Sequence, residues 1–167
     1  MSARMRRSLI VAILHLAIVA SLGGKLLFDR ATRPRVWARA APFDPALPIR
    51  GRYVRLGLEV AIDPRLRLPE TPEPVSLVVR DNMLWATVPS SSSLSAHAET
   101  RRGEQFAVLD EGIAYFIPER AADPSRRPDG EELWVEVTVP RAGLPRPIQL
   151  GIKRNGTITP WTPEMGR

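Results

Sequence analysis

The chain has 167 residues and a formal net charge of +6, with 24 basic side chains, 18 acidic side chains and no cysteine. This length fits one domain with attached segments, and the lack of cysteine excludes disulfides, thiolate metal sites and a cysteine nucleophile. Residues 1–35 hold seven basic residues and one acidic residue, so the rest of the chain is neutral, which argues against nucleic-acid binding.

An apolar run, residues 8–28, follows a basic tail, residues 1–7. Twelve side chains of the run are Leu, Ile, Val or Phe, and its first charge is Lys25. A helix of this length spans about 31 Å, close to the hydrocarbon thickness of a bilayer. The run therefore predicts a transmembrane anchor, with Lys25 near enough to one end to snorkel. A cleaved signal peptide is the alternative, but Ile18 or Leu22 would then stand three residues before the cleavage site.

Charge alone leaves the orientation of this anchor open. Arg4, Arg6 and Arg7 precede it, and a basic linker, residues 29–35, follows it. Long folded domains cross membranes largely regardless of nearby charge. We therefore expect a single-pass protein of the inner membrane, with the remaining domain, residues 36–167, on the periplasmic side.

The domain after the linker has the pattern of short strands. All 17 prolines lie from Pro34 onward, which excludes long helices there. In residues 53–62 every second side chain is apolar, and residues 133–139 alternate in the same way. This period of two is typical of half-buried strands. A further short strand is predicted at residues 36–40.

Three short polar segments predict hairpin turns: Asp81-Asn82, residues 110–112, and Asn155-Gly156. The serine-rich residues 89–96 and the polar residues 118–132 predict solvated loops. Together these patterns predict an all-β domain, a small antiparallel barrel or sandwich of about seven to nine strands, after one N-terminal transmembrane helix.

Three segments, in this order, carry a resemblance to a known family. They are APFDPALPIRGRYVRLGL, from residue 41, GIAYFIPE, from residue 112, and LWVEVTVP, from residue 133. Together they resemble the GDYXXLXY family of bacterial membrane-anchored proteins, which has a proline-aspartate-proline lead-in, the motif itself and a later Tyr-Phe-Ile-Pro-Glu segment. The matching positions are Asp44, Pro45, Gly51, Tyr53, Leu56, Tyr115, Phe116, Ile117, Pro118 and Glu119.

The resemblance implies a binding role more than a reaction. Arg52 stands where the family has an acidic residue and Leu58 where it has the final tyrosine, so chemistry at that carboxylate is not expected here. The family is of unknown function, and its members look like companions of multi-pass membrane proteins. We therefore expect an interaction patch for such a partner, with candidates Asp44, Gly51, Arg52, Tyr53, Leu56, Tyr115, Phe116, Pro118 and Glu119.

No complete catalytic set is found in the sequence. His97 is the only histidine outside the apolar run, and it follows a serine-rich segment without a nucleophile elbow. Asp44, Glu59 and Asp63 lack the spacing of metal ligands. We expect no catalytic residue, metal or cofactor. Two alternatives stay open: a β-barrel hydrolase or peptidase with an unrecognised site, and a cell-envelope ligand or glycan sensor that uses the aromatic residues.

Overall fold

A computed structural model of the chain describes residues 3–42, 53–90, 94–118, 121, 123–124, 127–140 and 143–163. The chain divides into a helical unit, Met1–Arg33, and a β unit, Pro34–Arg167. The helical unit consists of one helix, α1 (Ala3–Thr32). Within it, Leu9–Phe28 has a mean hydropathy of 2.1 and is long and apolar enough to cross a membrane. The predicted N-terminal apolar helix is therefore present.

The helix extends further than the predicted anchor. It ends at Thr32, so it includes most of the segment expected to be a linker. The Thr32 hydroxyl donates a hydrogen bond to the Phe28 carbonyl (2.7 Å), and Pro34 follows two residues later. Proline disfavours helical backbone at the residue before it, which explains where the helix stops. Inside the helix, a ring nitrogen of His15 donates to the Val11 carbonyl (2.8 Å), so this polar group has a partner within its own helix.

The β unit contains ten strands in the part of the chain that the structure describes, one more than the predicted range. The all-β prediction is confirmed, as are the strands expected near residues 36–40, 53–62 and 133–139. The strands are β1 (Arg35–Pro42), β2 (Tyr53–Ile62), β3 (Glu73–Arg80), β4 (Met83–Thr87), β5 (Leu94–Arg101), β6 (Glu104–Leu109), β7 (Ile113–Phe116), β8 (Glu132–Thr138), β9 (Arg146–Arg154) and β10 (Thr157–Pro160).

Strand β2 belongs both to a closed barrel and to an open sheet that extends from its other edge. The pairings β2–β4, β4–β3, β3–β5, β5–β6 and β6–β2 return to their starting strand and so close a five-stranded barrel. On the edge of β2 opposite to β6, the antiparallel series β1, β8, β9 and β10 extends the sheet. Only β2–β4 among the described pairings is parallel. The centre of β2 thus has strands along both edges.

The segment around Asp110 is a bulge, and the hairpin predicted there is wrong. Strand β6 pairs with Glu59 and Val60 of β2, and β7 continues in the same direction along the same edge, from Leu56 to Tyr53. Residues 110–112 therefore interrupt one partner strand of β2 instead of reversing the chain. An inserted segment of this kind bends the strand and breaks its pairing locally.

Strand β5 lies partly in the segment predicted to be a serine-rich loop. Its residues Ala96 and Ala98 are buried, and His97 between them is only partly exposed. The strand is held by β6 along one edge and by β3 along the other. The prediction of a solvated loop is therefore wrong from Leu94 onward. The strand was not recognised because its inward-facing side chains are small, whereas most buried strands have branched ones.

Among the described residues of the β unit, three two-residue turns have positive φ at both positions, as type I′ hairpins require. Two of them, Asp81-Asn82 and Asn155-Gly156, were expected from the sequence. The third, Arg102-Gly103, joins β5 to β6, with φ of 54° at the arginine. An arginine is an unusual residue for this left-handed conformation.

The core of the β unit is built from Leu and Val together with several alanines. The alternating residues of β8 and β2 face inward as predicted, and the alanines come mainly from the barrel strands. Close packing in a narrow barrel favours small side chains beside large ones. The least exposed residues include Leu56, Leu58, Val75, Ala86, Ala96, Ala107, Leu109, Leu133, Val135, Val137 and Leu150.

Candidate functional site

The first candidate surface lies where β2 begins and β7 ends. Tyr53 and Phe116 are register partners in the antiparallel pair, and their rings meet edge to face with centroids 5.4 Å apart. Both side chains are more than half exposed, at 51% for Tyr53 and 59% for Phe116. The backbone pairing fixes the positions of two large apolar rings that solvent still reaches. We call these two residues the aromatic pair.

The other sequence candidates in this region have different surroundings. Leu56 is fully buried opposite Ile113, so it supports the core and offers no surface. Tyr115 packs partly against the core, and the Pro118 carbonyl accepts a hydrogen bond from the Ala121 backbone N–H (3.0 Å). The structure thus brings β2 and the Tyr115–Pro118 segment together. Four predicted candidates lie outside the described residues: Asp44, Gly51, Arg52 and Glu119.

A second cluster surrounds His97. One ring nitrogen, Nδ1, lies 2.6 Å from Asp110 Oδ1, and the other, Nε2, lies 3.4 Å from Glu99 Oε1. The Ser95 hydroxyl donates to the second oxygen of Asp110 (2.6 Å). Partial burial acts to lower the pKa of His97, but the hydrogen bonds and charges of Asp110 and Glu99 outweigh it and raise that pKa. The imidazole is therefore stabilised in its charged form.

This cluster does not have the arrangement of a hydrolytic triad. In a triad the histidine accepts the proton of the nucleophile, whereas Ser95 and His97 both hydrogen-bond the same carboxylate. The serine hydroxyl is therefore not hydrogen-bonded to the imidazole that would have to accept its proton. The two carboxylates meet opposite sides of the imidazole, so they do not converge on one position. Among the described residues, no group of three His, Asp or Glu side chains is placed to hold a metal ion.

The sequence did not indicate the buried carboxylate of Glu59. This residue alternates with the apolar side chains of β2, a position typical of a solvated face, yet its side chain is only 4% exposed. Arg39 Nε lies 3.3 Å from one carboxylate oxygen, and Arg101 Nη1 lies 3.0 Å from the other. The two arginines cover the carboxylate and satisfy it, which is the condition for burying a charge. The register of β1 with β2 places Arg39 directly opposite Glu59, and the sequence alone does not give this register.

Asp63, the other acidic residue considered for a metal site, has separate partners. Its oxygens accept hydrogen bonds from the Arg65 backbone N–H (2.9 Å) and from the Arg80 guanidinium (2.6 Å). These two donors hold the pKa of Asp63 below its usual range. Glu59 and Asp63 are each neutralised by their own arginine neighbours, so the structure does not bring them together as ligands.

A polar cleft of about 420 Å³ lies beside Arg39. It is bounded by the turn between β5 and β6, the segment that leads into β8, and the turn between β9 and β10. The residues that line it are polar or charged apart from two glycines, and they are Arg39, Arg102, Gly130, Glu131, Glu132, Lys153, Asn155 and Gly156. We call this cavity the turn cleft, because three chain turns with positive φ border it. It was not predicted, since its parts are far apart in sequence.

Comparisons with known proteins give no relative for this chain: no family model, no curated protein and no solved structure matches it.

Proposed function

We propose that the protein is a membrane-anchored, non-catalytic binding or assembly module whose β domain associates with a multi-pass membrane protein. The helix Leu9–Phe28 supplies the anchor in this proposal, and the inner membrane, with the domain on the periplasmic side, is the proposed location. The interaction surface is the aromatic pair, Tyr53 and Phe116.

The exposure of the aromatic pair is the observation that carries this proposal. Aromatic side chains are enriched at the centres of protein interfaces, where they bury large area at low entropic cost. Both rings extend from hydrogen-bonded strands, so little conformational freedom remains to be lost on binding. Other large apolar side chains of β2, such as Leu56 and Leu58, are buried, so these two exposed rings are exceptions on their strands.

A membrane anchor makes a small interface sufficient. Confinement of both partners to one membrane raises the effective concentration of each for the other, so weak contacts become occupied without further area. The aromatic pair is a small surface by the standards of soluble complexes. It fits a partner that is itself membrane-embedded better than a soluble protein that must be captured from dilute solution.

Site-specific photo-crosslinking in cells tests the proposed surface. A photoreactive phenylalanine analogue is placed at Tyr53 or Phe116 in the full-length protein, and crosslinked products are identified by mass spectrometry. Met83 is the matched control position, because it is as exposed as Tyr53, at 51%, and lies on a different hairpin. We expect one multi-pass membrane protein to be crosslinked from positions 53 and 116 and absent from position 83.

Alanine variants separate binding from folding. Tyr53→Ala and Phe116→Ala remove exposed rings, so we expect each to abolish recovery of that partner while the thermal unfolding of the domain changes little. The proposal would be contradicted if position 83 gave the same crosslinked products as positions 53 and 116. It would also be contradicted if the alanine variants still recovered the partner in full.

A further inference from the structure

The acidic side chains around the turn cleft do not neutralise all of its positive charge. Its two acidic side chains have cationic partners: Glu131 pairs with Arg154 at 2.6 Å, and Glu132 pairs with Arg39 at 3.1 Å. The Trp134 indole N–H also donates to Glu132 (3.1 Å). Each acid thus has a cationic partner, which weakens its repulsion of an anion in the cleft.

Two cationic side chains that line the cleft have no acidic partner among the described residues. Within the described part of the chain, neither Arg102 nor Lys153 makes an ion pair with an acidic side chain. The Lys153 ammonium lies 4.4 Å from the centroid of the Trp134 ring, which holds it in place without cancelling its charge. The lining thus presents two positive charges without an ion-pair partner, one from the turn between β5 and β6 and one from strand β9.

The position of Arg102 strengthens this observation. It occupies the first place of a type I′ turn, where asparagine, aspartate and glycine are the favoured residues. The two other turns of this kind in the described part of the domain carry Asp81-Asn82 and Asn155-Gly156. An arginine in the left-handed region costs backbone energy, and such strain is characteristic of functional positions.

We propose that the turn cleft binds a phosphate monoester through Arg102 and Lys153. Two uncompensated cations match the charge of a phosphate monoester near neutral pH, which carries about −1.5 to −2, better than that of a single carboxylate. Guanidinium and ammonium groups are the usual donors to phosphate oxygens. The cleft volume of about 420 Å³ leaves room for the esterified group beside the phosphate. This site is distinct from the aromatic pair and does not depend on it.

The same chemistry has two sources in a cell envelope: a soluble phosphate ester, or a lipid whose headgroup is a phosphate monoester. The test therefore uses both. Full-length protein in phosphatidylcholine nanodiscs is titrated with glycerol phosphate by calorimetry, with glycerol and acetate as comparison compounds. The titration is then repeated in nanodiscs that contain phosphatidic acid.

We expect saturable binding of glycerol phosphate that weakens with added salt, and at least tenfold weaker or no binding of acetate and glycerol. The double variant Arg102→Gln with Lys153→Gln should lose at least tenfold in affinity. The matched control is Arg67→Gln with Arg146→Gln, which removes the same charge from exposed positions outside the cleft and should change affinity less than twofold.

If glycerol phosphate binds more weakly in nanodiscs that contain phosphatidic acid, the lipid competes for the cleft and is the natural source. If the two titrations are the same, the source is a soluble phosphate ester. Thermal unfolding of each variant shows whether its fold is intact, and the single variants Arg102→Asn and Lys153→Gln replace the double variant if it unfolds. The proposal is overturned if glycerol phosphate does not bind saturably, or if the control variant loses as much affinity as the cleft variant.

Discussion

His97 and Asp110 connect strand β5 to the bulge that follows β6. The imidazole of His97 on β5 lies 2.6 Å from the carboxylate of Asp110, which begins the bulge between β6 and β7. The backbone N–H of Asp110 also donates to the Ser95 carbonyl (3.0 Å), and the Ser95 hydroxyl donates to the same carboxylate. The bulge that positions β7, and with it Phe116, is thus held by both side chain and main chain of β5.

The stability of the domain should therefore decrease as pH rises above about 6.5. The pKa of His97 is raised in the folded state above its ordinary value of 6.5, so the stabilisation is complete below about pH 6.5. It is lost as pH rises through the folded-state pKa, where the imidazolium loses its proton. For a partly exposed pair we expect a loss of about 1 kcal/mol. Chemical unfolding of the full-length protein between pH 5.5 and 8.5 measures it.

The variant His97→Gln provides the control for this pH dependence. The chain has only two histidines, and the other, His15, lies in the helix α1. The pH dependence in this range should therefore be largely absent from the variant. An unchanged pH profile in His97→Gln would show that another group is responsible.

Replacing Glu59 should destabilise the domain strongly. Glu59→Ala removes a buried carboxylate and leaves Arg39 and Arg101 without their shared partner. Because both arginines are partly exposed, we expect a cost of about 2–3 kcal/mol, less than for a fully buried pair. Denaturant unfolding measures it, with Glu99→Ala as control, since Glu99 is 46% exposed and should cost under about 1 kcal/mol. Equal effects of the two variants would contradict the role of burial.

Gly151 should not tolerate a side chain. A Cβ at this position would lie 2.7 Å from Trp37 and 2.8 Å from Ile158, closer than atoms can approach without displacement. Gly151→Ala should lower the unfolding free energy by about 1–3 kcal/mol. Adding Trp37→Phe shortens the ring that causes the contact, so the double variant should lose less than the sum of the single variants. Simple additivity would mean that the two positions do not interact.

Arg102→Asn should stabilise the domain. Asparagine adopts the left-handed conformation at this turn more readily than arginine, so we expect a gain of about 0.5 kcal/mol in unfolding free energy. The same change at Arg67, which lies outside the turns with positive φ, should give no gain. A destabilised Arg102→Asn variant would show that the arginine side chain contributes more to folding than its backbone strain costs.

The absence of cysteine allows a direct test of the proposed orientation. Met83→Cys introduces a single thiol at an exposed position of the domain. If the domain lies on the periplasmic side, a membrane-impermeant maleimide should label this thiol in spheroplasts with an intact inner membrane. Labelling that requires lysis would place the domain in the cytoplasm. A mature chain that lacks residues 1–21 would instead indicate a cleaved signal peptide.

The strands with strong alternation could be predicted from the sequence, because their burial depends on local pattern. In β2 and β8 every second side chain is Leu, Ile or Val, and the structure buries that face. The turns with Asn or Asp were predictable for the same reason, since their backbone conformation is set by the residues themselves. The aromatic residues Tyr53 and Phe116 were also identified, although their pairing required the register of β2 with β7.

Features that depend on distant partners could not be predicted. Strand β5 uses Ala96 and Ala98 as inward residues, and alanine carries little strand signal. The bulge at Asp110 resembles a turn locally, and it becomes a bulge only because β2 is long enough to pair with both β6 and β7. The turn cleft and the burial of Glu59 join segments that are tens of residues apart in the chain.

The position of β1 has a consequence for how the chain folds as it is made. All five barrel strands lie between residues 53 and 109, so the barrel can close before the later strands exist. Strand β1 pairs with β2 on one edge and with β8 on the other, and β8 begins about ninety residues after β1. A nascent chain that ends before β8 therefore has an open β1 edge, which can pair with other nascent chains. Arg35 and Arg39 place two charges on that strand, a common way to discourage such association until β8 is synthesised.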